Sequence, residues 1–155
     1  MSQVYENLWI GPANVAREKD FLLDNNITVV INCAEEESMN KYPLLTSLFT
    51  VHIPLIDDEE PNARQMILEG ATTLQTYSRQ GKHIIVHCKA GISRSATVIL
   101  AWMIVYKNIP FDTAYKFLQE KRPIIRPNDF YIGILKDLEN NFYLESNNEL
   151  SLQSY

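Results

Sequence analysis

Cys88 follows His87 directly, and Gly91, Ser93, Arg94 and Ser95 come after it within seven residues, in the stretch VHCKAGISRS. A cysteine in that company is placed for nucleophilic chemistry. HIIVH, His83 to His87, reads as a buried strand, and the apolar run from roughly Ser95 to Tyr106 reads as a helix. A strand, a glycine-containing loop and a helix N-terminus together make an anion trap: amides left unpaired at the helix start point into the loop, and the helix dipole adds positive potential. The amides of Lys89, Ala90, Gly91, Ile92, Ser93 and Arg94 can wrap one phosphate, with Gly91 supplying the backbone freedom such a nest needs. The Arg94 guanidinium is a planar fork that matches two phosphate oxygens.

Cys88 stands at the mouth of that nest. The field that attracts phosphate also stabilises a thiolate, so a depressed thiol pKa is expected there. A thiolate facing phosphorus is an attacking group, and the Ser95 hydroxyl can hydrogen-bond the sulfur and help it leave again. His87 precedes the loop and points back into the fold, which suits orienting the loop backbone better than moving protons. The leaving oxygen needs a proton. IPLIDDEEPN puts Asp57 and Asp58 on a loop after a strand that ends at the same sheet edge, and a carboxyl there acts first as acid and then as base. The competing reading of a buried cysteine is packing. The combination of Cys88, Gly91, Ser93, Arg94 and Ser95 between two apolar elements favours chemistry.

The elements that position this loop follow from the apolar pattern. VYENLWIG reads as a short strand ending at Gly11-Pro12, followed by a helix over Ala13 to Leu23. ITVVINC, Ile27 to Cys33, is a buried strand, AEEESMNKYP a polar loop, and LFTVHIPL, Leu48 to Leu55, a third strand. Helices are expected over Asn62 to Arg79, Phe111 to Lys121 and Asp129 to Leu144, with RPIIRPN as a proline-bracketed turn. Strands alternating with helices predict an α/β fold: a mostly parallel central sheet flanked by helices on both sides, with the strand before Cys88 at its centre. Trp9 and Trp102 are assigned to the core.

The chain has 155 residues, which suits one catalytic domain over 1–145 with a polar, frayed tail over 146–155. A net charge of −5 and the lack of any basic stripe argue against nucleic acid as a partner. The longest apolar run, Val98 to Tyr106, is too short to span a membrane, and no secretory signal pattern is visible. Two cysteines with no CxxC and no Cys/His cluster predict neither a disulfide framework nor a metal site, and no cofactor is expected. A reducing compartment, the cytoplasm with entry to the nucleus open, is the expected location. The sequence does not set an oligomeric state.

At HCKAGISRSAT the chain resembles the cysteine-dependent protein tyrosine phosphatases, which share His-Cys, five residues, Arg and Ser or Thr, and within them the dual-specificity group. NLWIGP, VINCA, HIPLIDD and the RPN of Arg126 to Asn128 fall in that group's order, so the resemblance runs over roughly residues 3 to 143. It implies the fold of that family, Cys88 as nucleophile, Arg94 as phosphate clamp, Ser95 as the hydroxyl aiding hydrolysis and Asp57 as general acid, with Asp58 in reserve. It implies that Asn128 braces the active-site loop; an N-cap for the last helix is the other reading, and both can hold. A Trp-Pro-Asp loop and a tyrosine-gripping extension are missing, which implies a shallow pocket open to phosphotyrosine and to phosphoserine or phosphothreonine in proteins.

Three rivals remain. A phospholipid phosphatase, acting on phosphoinositides or phosphatidylglycerophosphate, would use Lys89 against a second headgroup charge; HCKAG opens the loop of tensin-related phosphatases, but Ile92 stands where they carry a second lysine. An RNA 5′-triphosphatase would want a basic approach, and a non-catalytic module would have lost Cys88. INCAE also resembles the tensin-related segment whose cysteine bonds to the nucleophile on oxidation, which would make Cys33 a redox partner of Cys88; the alternative is a small apolar residue in a buried strand.

Overall fold

Apolar side chains alternate along the inner strands, and each strand therefore feeds two helical layers at once. The computed structural model describes residues 1–153, with side chains through residue 142. The elements run β1 (Ser2–Tyr5), β2 (Leu8–Gly11), α1 (Ala13–Ala16), α2 (Lys19–Asp24), β3 (Val29–Ala34), β4 (Phe49–Leu55), α3 (Ala63–Arg79), β5 (Ile84–His87), α4 (Arg94–Lys107), α5 (Phe111–Lys121) and α6 (Asp129–Gln153). The sheet order is β1-β2-β5-β3-β4, with β1 antiparallel to β2 and the remaining pairings parallel. The fold is thus α/β with a mostly parallel sheet, and β5 lies at its centre.

Leu8, Ile10, Val29, Ile31, Ile84 and Val86 pack with residues of α3 to α6 on one face. Trp9, Val30 and Ile85, their neighbours in sequence, pack with Ala16 and Leu22 of α1 and α2 on the other. Ile84, Ile85 and Val86 have no exposed surface, and burial of each such side chain contributes about 1.5–3 kcal/mol, so the strand end that carries Cys88 is firmly fixed. Helix α4 is buried from Arg94 through Ile104, as an apolar sequence on all sides requires. Asn108, in the left-handed region at φ 55, closes it.

Three elements differ from the sequence reading. VYENLWIG is a hairpin rather than one strand: the chain turns at Glu6 and Asn7, and Asn7 is held by its side-chain bond to the Lys82 carbonyl. The helix expected over Ala13 to Leu23 divides into α1 and α2, because Glu18 is extended and the neighbouring Arg17 turns to Glu37 and the Ser38 carbonyl. Helix continues through Gln153, into the segment expected to fray.

Parallel pairing brings the C-terminal ends of β2, β5, β3 and β4 to one edge, where Gly11 and Asn32 both pair with His87. Loops leaving that edge are where such sheets build their sites.

Candidate active site

The loop from Cys88 to Ser93 is wound so that its carbonyls face outward. Ala13 N–H donates to the Lys89 carbonyl at 3.0 Å. Arg122, 8% exposed, donates from Nε to the Gly91 carbonyl at 2.7 Å and from Nη2 to the Ala90 carbonyl at 3.1 Å, while its Nη1 reaches Ser2 Oγ. Tying the carbonyls outside leaves the amides inside. Gly91 has φ +71, and a Cβ there would lie 2.5 Å from the Gly11 carbonyl carbon, so only glycine fits.

The Cys88 sulfur sits inside that ring, and the residue as a whole is 2% exposed. It accepts from Gly91 N–H at 3.2 Å and lies 3.2 Å from Ser95 Oγ. Burial alone would raise its pKa. The Ser95 hydroxyl and the Ser95, Gly91 and Ile92 amides outweigh burial and hold the thiol below its ordinary range. Cys33 is fully buried in β3; burial first, and the Cys88 charge second, push its thiol well up.

His87 is not among the residues that line the cavity of Cys88. Its Nδ1 lies 2.8 Å from the Cys88 carbonyl, which can only accept, so the ring proton is assigned to Nδ1. Nε2 then accepts from the Tyr42 hydroxyl. Burial lowers the His87 pKa to about 4, so the ring stays neutral and holds the backbone of the nucleophile.

Arg94 is 6% exposed. Its Nη1 and Nη2 donate to the two oxygens of Glu36 at 2.6 and 2.7 Å, and Nη1 also donates to the Leu55 carbonyl at 3.0 Å. A guanidinium has five N–H groups. Glu36 takes one from each terminal nitrogen and Leu55 takes the other on Nη1. The parallel pair on Nε and Nη2 is left, and that side-on fork matches two phosphate oxygens. The contact with Arg94 lowers the Glu36 pKa to about 2.

Asp57 stands opposite, on the loop after β4, with φ 61. Its N–H donates to the Tyr131 hydroxyl at 3.1 Å, and its Oδ1 accepts from Asn128 Nδ2 at 3.0 Å. Asn128 does three things at once. Its Oδ1 caps α6 through Tyr131 N–H at 2.8 Å, its own N–H donates to Ser93 Oγ at 3.1 Å, and its amide holds Asp57. Asp57 lines the same cavity as Cys88, of about 530 Å³, together with Lys89, Ala90, Ile92, Ser93 and Arg94. Asp58 is outside that lining and turns to the Glu59 amide at 2.7 Å. A larger hollow of about 910 Å³ lies between β4 and α3 and holds none of these residues. Among the described residues, no cluster of three or more His, Cys, Asp or Glu side chains is placed to hold a metal ion.

Glu36, Arg122, Tyr42 and Tyr131 escaped the sequence reading. Glu36 is the middle of three consecutive glutamates in a segment read as polar loop, and Arg122 opens a segment read as a turn. Neither carries a local signal that separates it from a solvated charge.

The family model described as "Dual specificity phosphatase, catalytic domain" matches residues 8–141. Mouse dual specificity protein phosphatase 14 is 31% identical over 146 residues, which cover 94% of this chain and 72% of that one. Human protein phosphatase Slingshot homolog 3 is 33% identical over 139 residues, 89% of this chain but only 20% of that far longer protein. The crystal structure of human DUSP28 superposes with a TM-score of 0.83 at 21% identity, covering 94% of this chain and 99% of that one. PTPMT1 in complex with PI(5)P has a TM-score of 0.73 at 19% identity over 93% of this chain and 97% of that one, a likeness of fold alone. The matched segment contains the whole Cys88 loop and every residue that holds it except Ser2, and the chain belongs to the dual specificity phosphatase catalytic domain family, as a cysteine-dependent phosphatase.

Proposed function

We propose that the protein hydrolyses phosphotyrosine and phosphoserine or phosphothreonine in phosphorylated proteins, in two steps through a phosphocysteine. The observation that carries this reading is the Cys88 sulfur held among loop amides on the floor of an open cavity, with its pKa lowered. In the first step Sγ attacks phosphorus, the ester P–O bond breaks, and the Asp57 carboxyl gives its proton to the leaving oxygen. The loop amides and the Nε/Nη2 fork of Arg94 hold the transferring oxygens. In the second step water attacks phosphorus, Asp57 takes the water proton, and the electron pair of the breaking S–P bond returns to Sγ, where the Ser95 hydroxyl supports the thiolate. Asn128 and Tyr131 keep Asp57 aimed, and His87 and Arg122 keep the loop wound.

Among the described residues, no aromatic side chain lines the cavity, so no wall there selects a phenyl ring over an aliphatic ester. That absence of selection supports dual specificity. Both cysteines are unpaired, which suits a reducing compartment such as the cytoplasm.

The test is vanadate-sensitive phosphate release from one panel, with Cys88→Ser as the blank. The panel holds phosphotyrosine and phosphothreonine peptides, phosphoinositides, phosphatidylglycerophosphate and triphosphate-ended RNA. Release from both peptide types with little from the lipids is expected. A strong preference for either lipid or for the RNA overturns the protein-substrate reading.

A further inference from the structure

We propose that the free edge of β4 and the flank of α3 form a docking groove for an extended segment of the substrate protein. That segment adds a sixth strand to the sheet while its phosphorylated residue lies on Cys88. This rests on the protein phosphatase reading and gives the substrate a second point of contact.

Strand β4 is the last of the sheet and pairs with β3 on one side only. Among the described residues, the main chain of Thr50 to Ile53 makes no hydrogen bond beyond that pairing. A strand spends half of its N–H and C=O groups on one neighbour, and the other half face away. Here that half is an open row of donors and acceptors. Such edges are normally blunted by charged side chains, bulges or proline. FTVHIPL carries no Lys, Arg, Asp or Glu. Its one register shift against β3 falls after His52, and Pro54 follows, so both devices sit at the end nearest the active site. Phe49 to Ile53 stay open.

The open edge borders a hollow, not a convex surface. The hollow of about 910 Å³ is lined by Val51, His52 and Ile53 of β4 and, across from them, by Leu68 and Thr72 of α3, among others. Phe49, at the far end of the strand, is 53% exposed, with its ring 5.6 Å from that of Tyr77 on α3. An edge strand with a helix beside it offers an incoming peptide main-chain bonds from the strand and apolar contact from the helix. Polypeptide backbone is the chemistry this row recognises, and apolar or β-branched side chains at alternate positions suit the groove.

Two observations favour a substrate segment over a second copy of the chain. The hollow adjoins the active site: Pro61 and Asn62 line it, Asp57 lines the Cys88 cavity, and all three belong to the loop between β4 and α3. The open stretch is also short. Five residues of edge offer far less than the roughly 800 Å² per partner of a stable interface, too little to hold a globular copy. A segment already tethered through its phosphate meets the groove at high effective concentration and needs less. Strand β4 runs toward the site, and antiparallel pairing is the stronger mode. Ile53 stands four residues before Asp57, so an antiparallel segment begins about four residues C-terminal to the phosphorylated residue.

The experiment compares kcat/KM for phosphotyrosine peptides that share one core. The first is the core alone. The second adds a neutral four-residue spacer and five alternating valines and threonines on the C-terminal side, and the third adds them on the N-terminal side. Wild-type protein should favour the C-terminal extension by about tenfold, the return of one or two good cross-strand contacts. N-methylation of one alternate set of amides in the extension should abolish the gain, and methylation of the other set should leave it. Leu68→Glu and Gln65→Trp, on the α3 wall, should each bring the ratio of extended to core peptide to about one. Variants that slow both peptides alike and keep the ratio overturn the groove, as does a gain indifferent to which amides are methylated. A wild-type ratio near one, with all peptides hydrolysed, overturns the groove and leaves the protein phosphatase reading intact. A dimer in sedimentation that Leu68→Glu dissolves, with no gain from either extension, assigns the edge to a second copy instead. Hydrolysis of phosphoinositide or phosphatidylglycerophosphate vesicles without hydrolysis of any peptide overturns both readings.

Discussion

Replacing Glu36 with alanine separates two roles that a carboxylate on a phosphate-binding arginine can play. One is positioning, in which Glu36 and the Leu55 carbonyl occupy three of the five guanidinium N–H groups and present the Nε/Nη2 fork to substrate. The other is competition, in which Glu36 takes the site that phosphate needs. A charge-assisted hydrogen bond is worth about 1.5–3 kcal/mol when well desolvated. The Arg94 side chain is 8% exposed but that of Glu36 is 42% exposed, so solvent screening discounts the pair to about 1–2 kcal/mol. Converted at about 1.36 kcal/mol per tenfold, that is a loss of roughly five- to thirtyfold in kcat/KM for a small aryl phosphate, with a matching weakening of vanadate inhibition. Glu36→Gln keeps one acceptor but turns an N–H₂ toward Nη2, and should fall between wild type and alanine. The pH dependence has a definite sign. A carboxylate whose folded pKa is depressed contributes above its ordinary pKa, and the contribution fades as pH falls through the lowered value, here about 2. The wild-type to Glu36→Ala ratio should therefore be flat from about pH 5 to about pH 8. Tighter vanadate or phosphate binding in Glu36→Ala would refute the positioning argument and establish competition instead.

Two further outcomes follow from the thiols. Alkylation of Cys88 by iodoacetamide should titrate below the ordinary thiol range, and Ser95→Ala, which removes the 3.2 Å contact to sulfur, should shift that midpoint upward; a wild-type midpoint at or above an ordinary thiol would contradict the lowered pKa. Hydrogen peroxide should convert the Cys88 thiolate to a sulfenic acid with release of water; if Cys33 is a redox partner rather than a buried packing residue, its attack on that sulfur forms the disulfide and releases a second water. Peptide mapping that finds Cys88 over-oxidised, with no Cys33–Cys88 peptide, removes Cys33 as a redox partner.

What could be read from the residues was local, and what could not was joined across the chain. The strand, loop and helix around Cys88 declare themselves within about twenty residues because a continuous apolar run, a loop glycine and an apolar helix are each short-range signals. The hairpin of β1 and β2 was hidden for the same reason in reverse. Glu6-Asn7 lacks the glycine that marks a two-residue hairpin turn, and the turn is held by Asn7 reaching Lys82, a contact no window contains. The distribution is sharper still at the site. Ser95 contacts Cys88 seven residues away and was legible; Glu36 meets Arg94 across 58 residues, Arg122 meets the loop across 31 and 32, and Asn128 meets Asp57 across 71. Asn128 was accessible only through resemblance, and Glu36 and Arg122 not at all. The nucleophile is thus a property of a segment, whereas its activation is a property of the sheet, since parallel pairing of β5 with β2 and β3 is what brings those distant loops to one edge. A substitution that shifted the register of β3 by one residue would exchange its two faces and move Glu36 away from Arg94, altering the phosphate fork without touching the Cys88 loop at all.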